Sequence, residues 1–164
     1  MTGESPPLWR RNTAAGIVGG VALTVVAATQ LWPEWARYRD TVLPAQIVAR
    51  GGQASVDGQR WRVDAVRRLE AAAGPAVIPD GAARIVVTIS RDGPGFAGTC
   101  GGTLSDGTRR WAADPVAGPT GSGTTTVCSL PGNLEFVFQT PAEVTPTALD
   151  VTGSADRILV RFLL

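Results

Sequence analysis

The 164-residue sequence contains no histidine and no lysine, and it has one methionine, one tyrosine and two cysteines. Without histidine there is no Ser-His-Asp triad, no Cys-His dyad and no imidazole metal site. Without lysine there is no phosphate-loop lysine, Schiff base or kinase core. Two cysteines fall short of a four-thiolate zinc site, and they lack the CxxC spacing that activates a thiol. Neither sign of charge prevails: 15 basic residues, all arginine, face 14 acidic ones for a net charge of +1. Nucleic-acid binders carry a basic excess, so no nucleic-acid partner is expected. No cofactor, metal ion or catalytic residue is expected either. Glycine (20) and proline (12) are plentiful beside Val, Thr and Ser, a mixture that favours short strands joined by turns.

Residues 13–32 form a 20-residue run without a charge, lying between Arg11 and Glu34. As a helix this run is about 30 Å long, the thickness of a bilayer's hydrocarbon core. Trp9 precedes it, and Trp32, Trp35 and Tyr38 stand at or beyond its end, where amphipathic rings anchor a helix at both interfaces. Pro33 closes the apolar run. These features predict a single-pass transmembrane helix with the lipid bilayer as its surroundings. Residues 1–12 would be a cytoplasmic head and 33–44 a juxtamembrane connector, helical through 35–43. Charge does not fix the orientation, since Arg10 and Arg11 ahead of the run are matched by Arg37 and Arg39 behind it. The short head and the cysteine pair favour a plasma-membrane protein with its N-terminus inside and its C-terminal domain outside. The same residues fit a cleaved signal peptide, with Arg10 and Arg11 as its charged start, 14–27 as its apolar stretch and Val26-Ala27-Ala28 at the cleavage site. The length of the run and its aromatic flanks weigh toward the uncleaved anchor.

Gly16, Gly20, Thr24 and Ala28 recur every four residues, and Gly16 to Gly20 is a literal GxxxG. Small residues at this spacing let two helices approach closely. Eleven of the 20 residues are Gly, Ala or Thr, so composition alone readily produces such a stripe. What it implies is self-association of the helix, or a helical partner.

Residues 45–164 suffice for one independent core. Short strands are expected at 54–56 and 59–66 around Asp57-Gly58, a strong hairpin signal. In the second of these, Trp61, Val63 and Ala65 alternate with Arg60, Arg62 and Asp64, as in a half-buried strand. The β-branched run 84–90 should lie centrally. Further strands are expected at 103–105 and 108–111 around Asp106-Gly107, then at 134–140, 148–152 and 157–163. Turn signals every eight to twelve residues indicate an antiparallel β-sandwich or small barrel. One competing helical stretch is Val66 to Ala73.

The order of these pieces resembles the bacterial Ig-like domain of unknown function 4352 over about Gly52 to Leu164. The segment from Gly52 through Asp57-Gly58 to Trp61 and Val63 resembles the family's opening hairpin. The run Arg84-Ile85-Val86-Val87-Thr88-Ile89-Ser90 is similar to its central apolar strand. Leu104, Asp106-Gly107 and Trp111 resemble its motif of Leu, Asp-Gly and a following aromatic. Leu130-Pro131-Gly132, leading to Phe136-Val137-Phe138 and Pro141, resembles its Pro-Gly step and late strand. The chain departs from the family in an Arg where the central strand usually runs into Asn, and in an added cysteine pair. The resemblance implies an extracytoplasmic, membrane-tethered Ig-like β-sandwich without established catalysis.

Outside the cytoplasm, Cys100 and Cys128 read as a disulfide; two buried free thiols are the alternative. Gly93 to Gly98 and Gly101-Gly102 lack the Lys, the Ser or Thr and the helix start of a phosphate loop, and read as turns. Residues 118–126 have the composition of a flexible, neutral loop. Asp57, Asp80, Asp92, Asp106 and Asp114 mostly sit beside Gly or Pro, where an Asp bonds its own backbone rather than facing a second acid across a glycosidase cleft. Trp61 and Trp111 suit core packing better than a sugar platform.

Two functions from different classes fit. In the first, a non-catalytic single-pass membrane protein of the bacterial cell envelope presents its sandwich outside the membrane to a protein partner of unknown identity. In the second, it is an accessory subunit docked into a larger membrane complex through its transmembrane helix.

Overall fold

A computed structural model describes residues 8–69, 78–93, 98–130 and 132–164. The chain divides into two compact units, one ending at Arg39 and the next starting at Asp40. Among its described residues the first unit is helical: α1 (Leu8–Val26), a π-helical turn over Ala27–Leu31, and α2 (Trp32–Val42), whose last residues belong to the second unit. Pro33 closes the apolar run but does not end the helix. Its missing N–H and bulky ring conflict with the carbonyl four residues back, that of Thr29. The wider turn accommodates this: the Trp32 N–H reaches the Ala27 carbonyl, five residues back. The Thr29 hydroxyl donates to the Val25 carbonyl at 2.8 Å. The stretch from Ala15 to Val42 is long and apolar enough to cross a membrane, a test that a signal sequence also passes.

The second unit is mainly β. Its strands are β1 (Ile47–Val48), β2 (Gln53–Val56), β3 (Gln59–Leu69), β4 (Ala82–Asp92), β5 (Gly101–Ser105), β6 (Arg110–Ala112), β7 (Thr124–Thr125), β8 (Asn133–Pro141), β9 (Ala148–Thr152) and β10 (Ile158–Leu163). They form two five-stranded sheets, ordered β1-β10-β9-β5-β6 and β2-β3-β4-β8-β7. The longer strands pair antiparallel, whereas the two-residue strands β1 and β7 join β10 and β8 in parallel. Trp61, Ile85 and Phe138 from one sheet pack with Leu104, Leu149, Val160 and Phe162 from the other in one buried cluster, making a sandwich. Each such side chain contributes about 1.5–3 kcal/mol of burial. As expected, β4 lies centrally, between β3 and β8. At Gly102 a Cβ would stand 2.7 Å from the Phe136 ring, so glycine there lets the sheets close on that ring.

The Asp57-Gly58 hairpin forms with positive φ at both residues, the geometry of a type I′ turn. Strand β3 then differs from its expected alternation. A bulge between Val63 and Ala65 sets Ala65 opposite Thr88 and Val66 opposite the core residue Val87, so Ala65 changes face. The strand also continues through Leu69, which replaces the expected helical start at Val66; the remainder of that stretch lies outside the described residues. The sheet edges are short. On β2, the Gln46 side chain takes the place of a neighbouring strand, donating to the Ser55 carbonyl at 2.6 Å and accepting from its N–H at 3.3 Å.

Between β9 and β10, Ala155 and Asp156 both have φ of 56°. Left-handed backbone suits the right-handed twist of a hairpin but costs an alanine about 1 kcal/mol. Ala155→Gly is therefore expected to stabilise the domain by several tenths of a kcal/mol or more, read as a higher urea midpoint at unchanged slope.

Candidate functional site

Cys100, just before β5, and Cys128, between β7 and β8, form a disulfide with Cα atoms 5.7 Å apart. The bridged segment is held a second time by Arg91. Arg91 lies opposite Trp61 in the β3–β4 ladder and so shares its core-facing side, at the rim of the sandwich. Its Nε donates to the Gly132 carbonyl at 3.0 Å, Nη1 to Cys128 at 2.6 Å, and Nη2 to Leu130 at 2.6 Å and Gly132 at 2.7 Å. One guanidinium thus satisfies three loop carbonyls, and burial pulls its pKa below the usual value. Arg68 lies opposite the core residue Ile85 and donates in the same way to the Ala142 and Val144 carbonyls. Arg91→Met keeps an apolar stem but leaves those three carbonyls to water. A loss of about 2 kcal/mol is expected, with the disulfide intact by mass spectrometry of non-reduced peptides.

Two acids sit where sequence reasoning expected only strand residues. Asp150, in the middle of β9, is 1% exposed. It accepts from Arg161 Nε at 2.6 Å, Arg161 Nη2 at 2.7 Å and Arg110 Nη2 at 2.7 Å, so two arginines share one carboxylate. The bond to Asp150 holds the Arg161 pKa above its ordinary value, against burial. Glu135 on β8 is fully buried. Its Oε1 accepts from the Thr120 N–H at 2.6 Å, and its Oε2 lies 3.6 Å from Arg67 Nη2, which also donates to the Thr120 hydroxyl at 3.1 Å. The glycine-rich stretch 118–126, whose composition is that of a flexible loop, is therefore tied down at Thr120. It is held again at Thr124, whose N–H and hydroxyl reach the Gly121 carbonyl.

A cavity of about 380 Å³ opens beside the disulfide, lined among others by Cys100, Gly102, Asp114, Thr126, Glu135 and Asp156. Two of its acids are already engaged, Asp114 with the Val116 N–H at 2.9 Å and Glu135 as above. Among the described residues, no group of three His, Cys, Asp or Glu is placed to hold a metal ion. Asp106 forms an Asx turn. The backbone N–H groups of Arg109 and then Thr108 hold its carboxyl well below the usual carboxylate range. Trp61 is wholly in the core, with its indole N–H donating to Gln59 Oε1 at 2.8 Å. Trp111 is half-buried against the core beneath the Arg109 guanidinium, 5.4 Å from the ring centroid. Of the glycine run 93–98, residues 94–97 lie outside the described set.

On the helix, Gly16 and Gly20 have open space where a Cβ would stand. Thr24 spends its hydroxyl on the Gly20 carbonyl at 2.9 Å, and Ala28 falls within the π turn. Trp9, Trp32, Trp35 and Tyr38 are all exposed, and the last two rings pack 5.8 Å apart.

No family model matches the chain, and no curated protein matches it. Among solved structures it is similar to MPT63, a secreted protein of Mycobacterium tuberculosis whose crystal structure was determined at 1.5 Å resolution. The two share 16% sequence identity with a TM-score of 0.43, over 75% of this chain and 99% of that one. The sandwich described above rests on this chain's own strand pairing and core.

Proposed function

We propose that the protein is a single-pass membrane protein whose β-sandwich works by binding outside the membrane and carries no hydrolytic or redox chemistry. The observation that carries this reading is the apolar helix. Ile17, Val18, Val21, Leu23, Val25, Val26 and Leu31 are each more than half exposed, and such a face needs lipid or another helix to cover it. Trp9 and Trp32 are separated by 23 residues, about 34 Å along a helix, which suits rings placed at the two interfaces. The disulfide supports an outward-facing domain and an N-terminus inside the plasma membrane. Two features support binding over catalysis: histidine and lysine are missing, and the buried acids are engaged by backbone N–H groups or arginines. The Ig-like resemblance over residues 52–164 fits the same reading.

The reading expects the cellular protein to keep its own N-terminus and to resist carbonate extraction. N-terminal peptide mass spectrometry decides this. A mature chain starting near Thr29, or release by carbonate, would replace the anchor with a cleaved signal peptide. Recovery of a cross-linked partner should survive exchange of residues 13–32 for an unrelated anchor and be lost when the sandwich is deleted. The opposite pattern would favour the accessory-subunit reading, to which the small residues Gly16 and Gly20 lend support.

A further inference from the structure

On the outer face of the sheet β1-β10-β9-β5-β6 lies a hollow of about 380 Å³, lined by Ser105, Thr108, Arg110, Thr147, Arg161 and Leu163 among others. Its lining includes two arginines and no acid. The carboxylate shared by those arginines, Asp150, is 1% exposed and is not part of the lining. Two positive charges against one negative leave the cluster with a net charge of +1.

The arginines are also pre-organised. Asp150 takes two N–H groups of Arg161 and one of Arg110, and a guanidinium carries five. The other N–H groups of both have no partner among the described residues. Side chains fixed in advance lose less entropy when they bind. Ser105 Oγ accepts the Gly107 N–H at 3.0 Å, which leaves its own proton to donate. The nearby acids are engaged elsewhere, Asp106 with Thr108 and Arg109, and Glu143 with Arg109 at 3.8 Å.

We propose that this hollow binds a phosphate-type oxyanion, with Arg110 and Arg161 as forked donors and the Ser105 hydroxyl as a third. Planar guanidinium forks match the oxygen spacing of a phosphate, and Asp150 orients both without touching the ligand. The same chemistry is offered by free inorganic phosphate and by the phosphodiester of a lipid headgroup.

The test is calorimetric titration of the full chain in neutral detergent at constant ionic strength. The probes are inorganic phosphate and glycerophosphoglycerol, a soluble phosphodiester. Binding of at least one probe is expected, and the one that binds identifies the source. Arg110→Gln keeps both Arg161–Asp150 bonds. It should unfold at a somewhat lower midpoint, since one bond to the buried carboxylate is lost, yet keep the native fold and bind at least tenfold more weakly. If that variant is unstable, Arg110→Lys keeps the charge but loses the fork, and should also bind more weakly. Arg60→Gln, on the other sheet, should bind as the parent does. Absence of heat with both probes would overturn the proposal, as would undiminished binding by Arg110→Gln or equal weakening by Arg60→Gln.

Discussion

Replacing Asp150 by alanine is expected to lower the unfolding free energy by about 3 kcal/mol or more, one of the two largest effects foreseen for a change in the sandwich. The carboxylate is buried and takes three charge-assisted hydrogen bonds. Its removal leaves two arginines facing each other on one sheet with nothing between them. Arg110 is half exposed and will recover hydration, whereas the Arg161 side chain, 31% exposed, will recover less. That places the loss toward the lower end of the range of about 3–5 kcal/mol for breaking a buried pair. Because the penalty comes from the stranded charges, Asp150→Leu combined with Arg161→Met should recover much of it. Urea unfolding of the parent, the single variant and the double variant measures both numbers. A single variant within 1 kcal/mol of the parent would show that the cluster does not hold the sheet together.

Removing the disulfide by exchanging both Cys100 and Cys128 for alanine should cost a similar amount. The bridge closes a loop with a sequence separation of 28. The chain-entropy model gives about 3–4 kcal/mol for a loop of that size. Arg91 holds the same segment through Cys128, Leu130 and Gly132, so the folded state should keep its loop when the covalent link is gone. The expected signature is a lower urea midpoint with native near-ultraviolet circular dichroism in the absence of denaturant. Loss of the native spectrum without denaturant would mean that the clamp alone cannot hold the loop. Combining this exchange with Arg91→Met should be worse than the sum of the two, because each restrains the same chain.

Much of the sandwich was legible because its signals are local. Asp57-Gly58 and Asp106-Gly107 mark turns through the chemistry of two adjacent residues, and the strands beside them follow from alternation. The eight expected strands all appear within a few residues of their expected bounds. What escaped depends on neighbours remote in sequence. β1 and β7 are two residues long and exist only because β10 and β8 offer them an edge. The bulge at Val63 and Ala65 leaves no mark in a pattern read by twos. The helix reads as apolar through 13–32, but the π turn before Pro33 is a backbone response to the ring. Asp150 and Glu135 each interrupt an apolar strand, and that was the available sign that something specific faces them. Their partners, Arg161 and Arg110 for one, Thr120 and Arg67 for the other, become visible only when the strands and the loop are laid side by side.

The parallel seam between β1 and β10 bears on the order in which the domain can assemble. Ile47 lies opposite Arg161, across more than 100 residues of chain. A chain that emerges N-terminus first can pair β2 with β3, and then β3 with β4, as each appears. β1 must wait, since its neighbour is β10, and β10 also completes the pairing of β9. Closing so long a loop carries an entropic toll that the early hairpins avoid, and topologies dominated by distant contacts fold slowly. The β2-β3-β4 sheet is therefore the natural nucleus. Until residues 158–163 arrive, the facing sheet lacks Val160 and Phe162, so the inner face that holds Trp61 and Ile85 stays partly open to water.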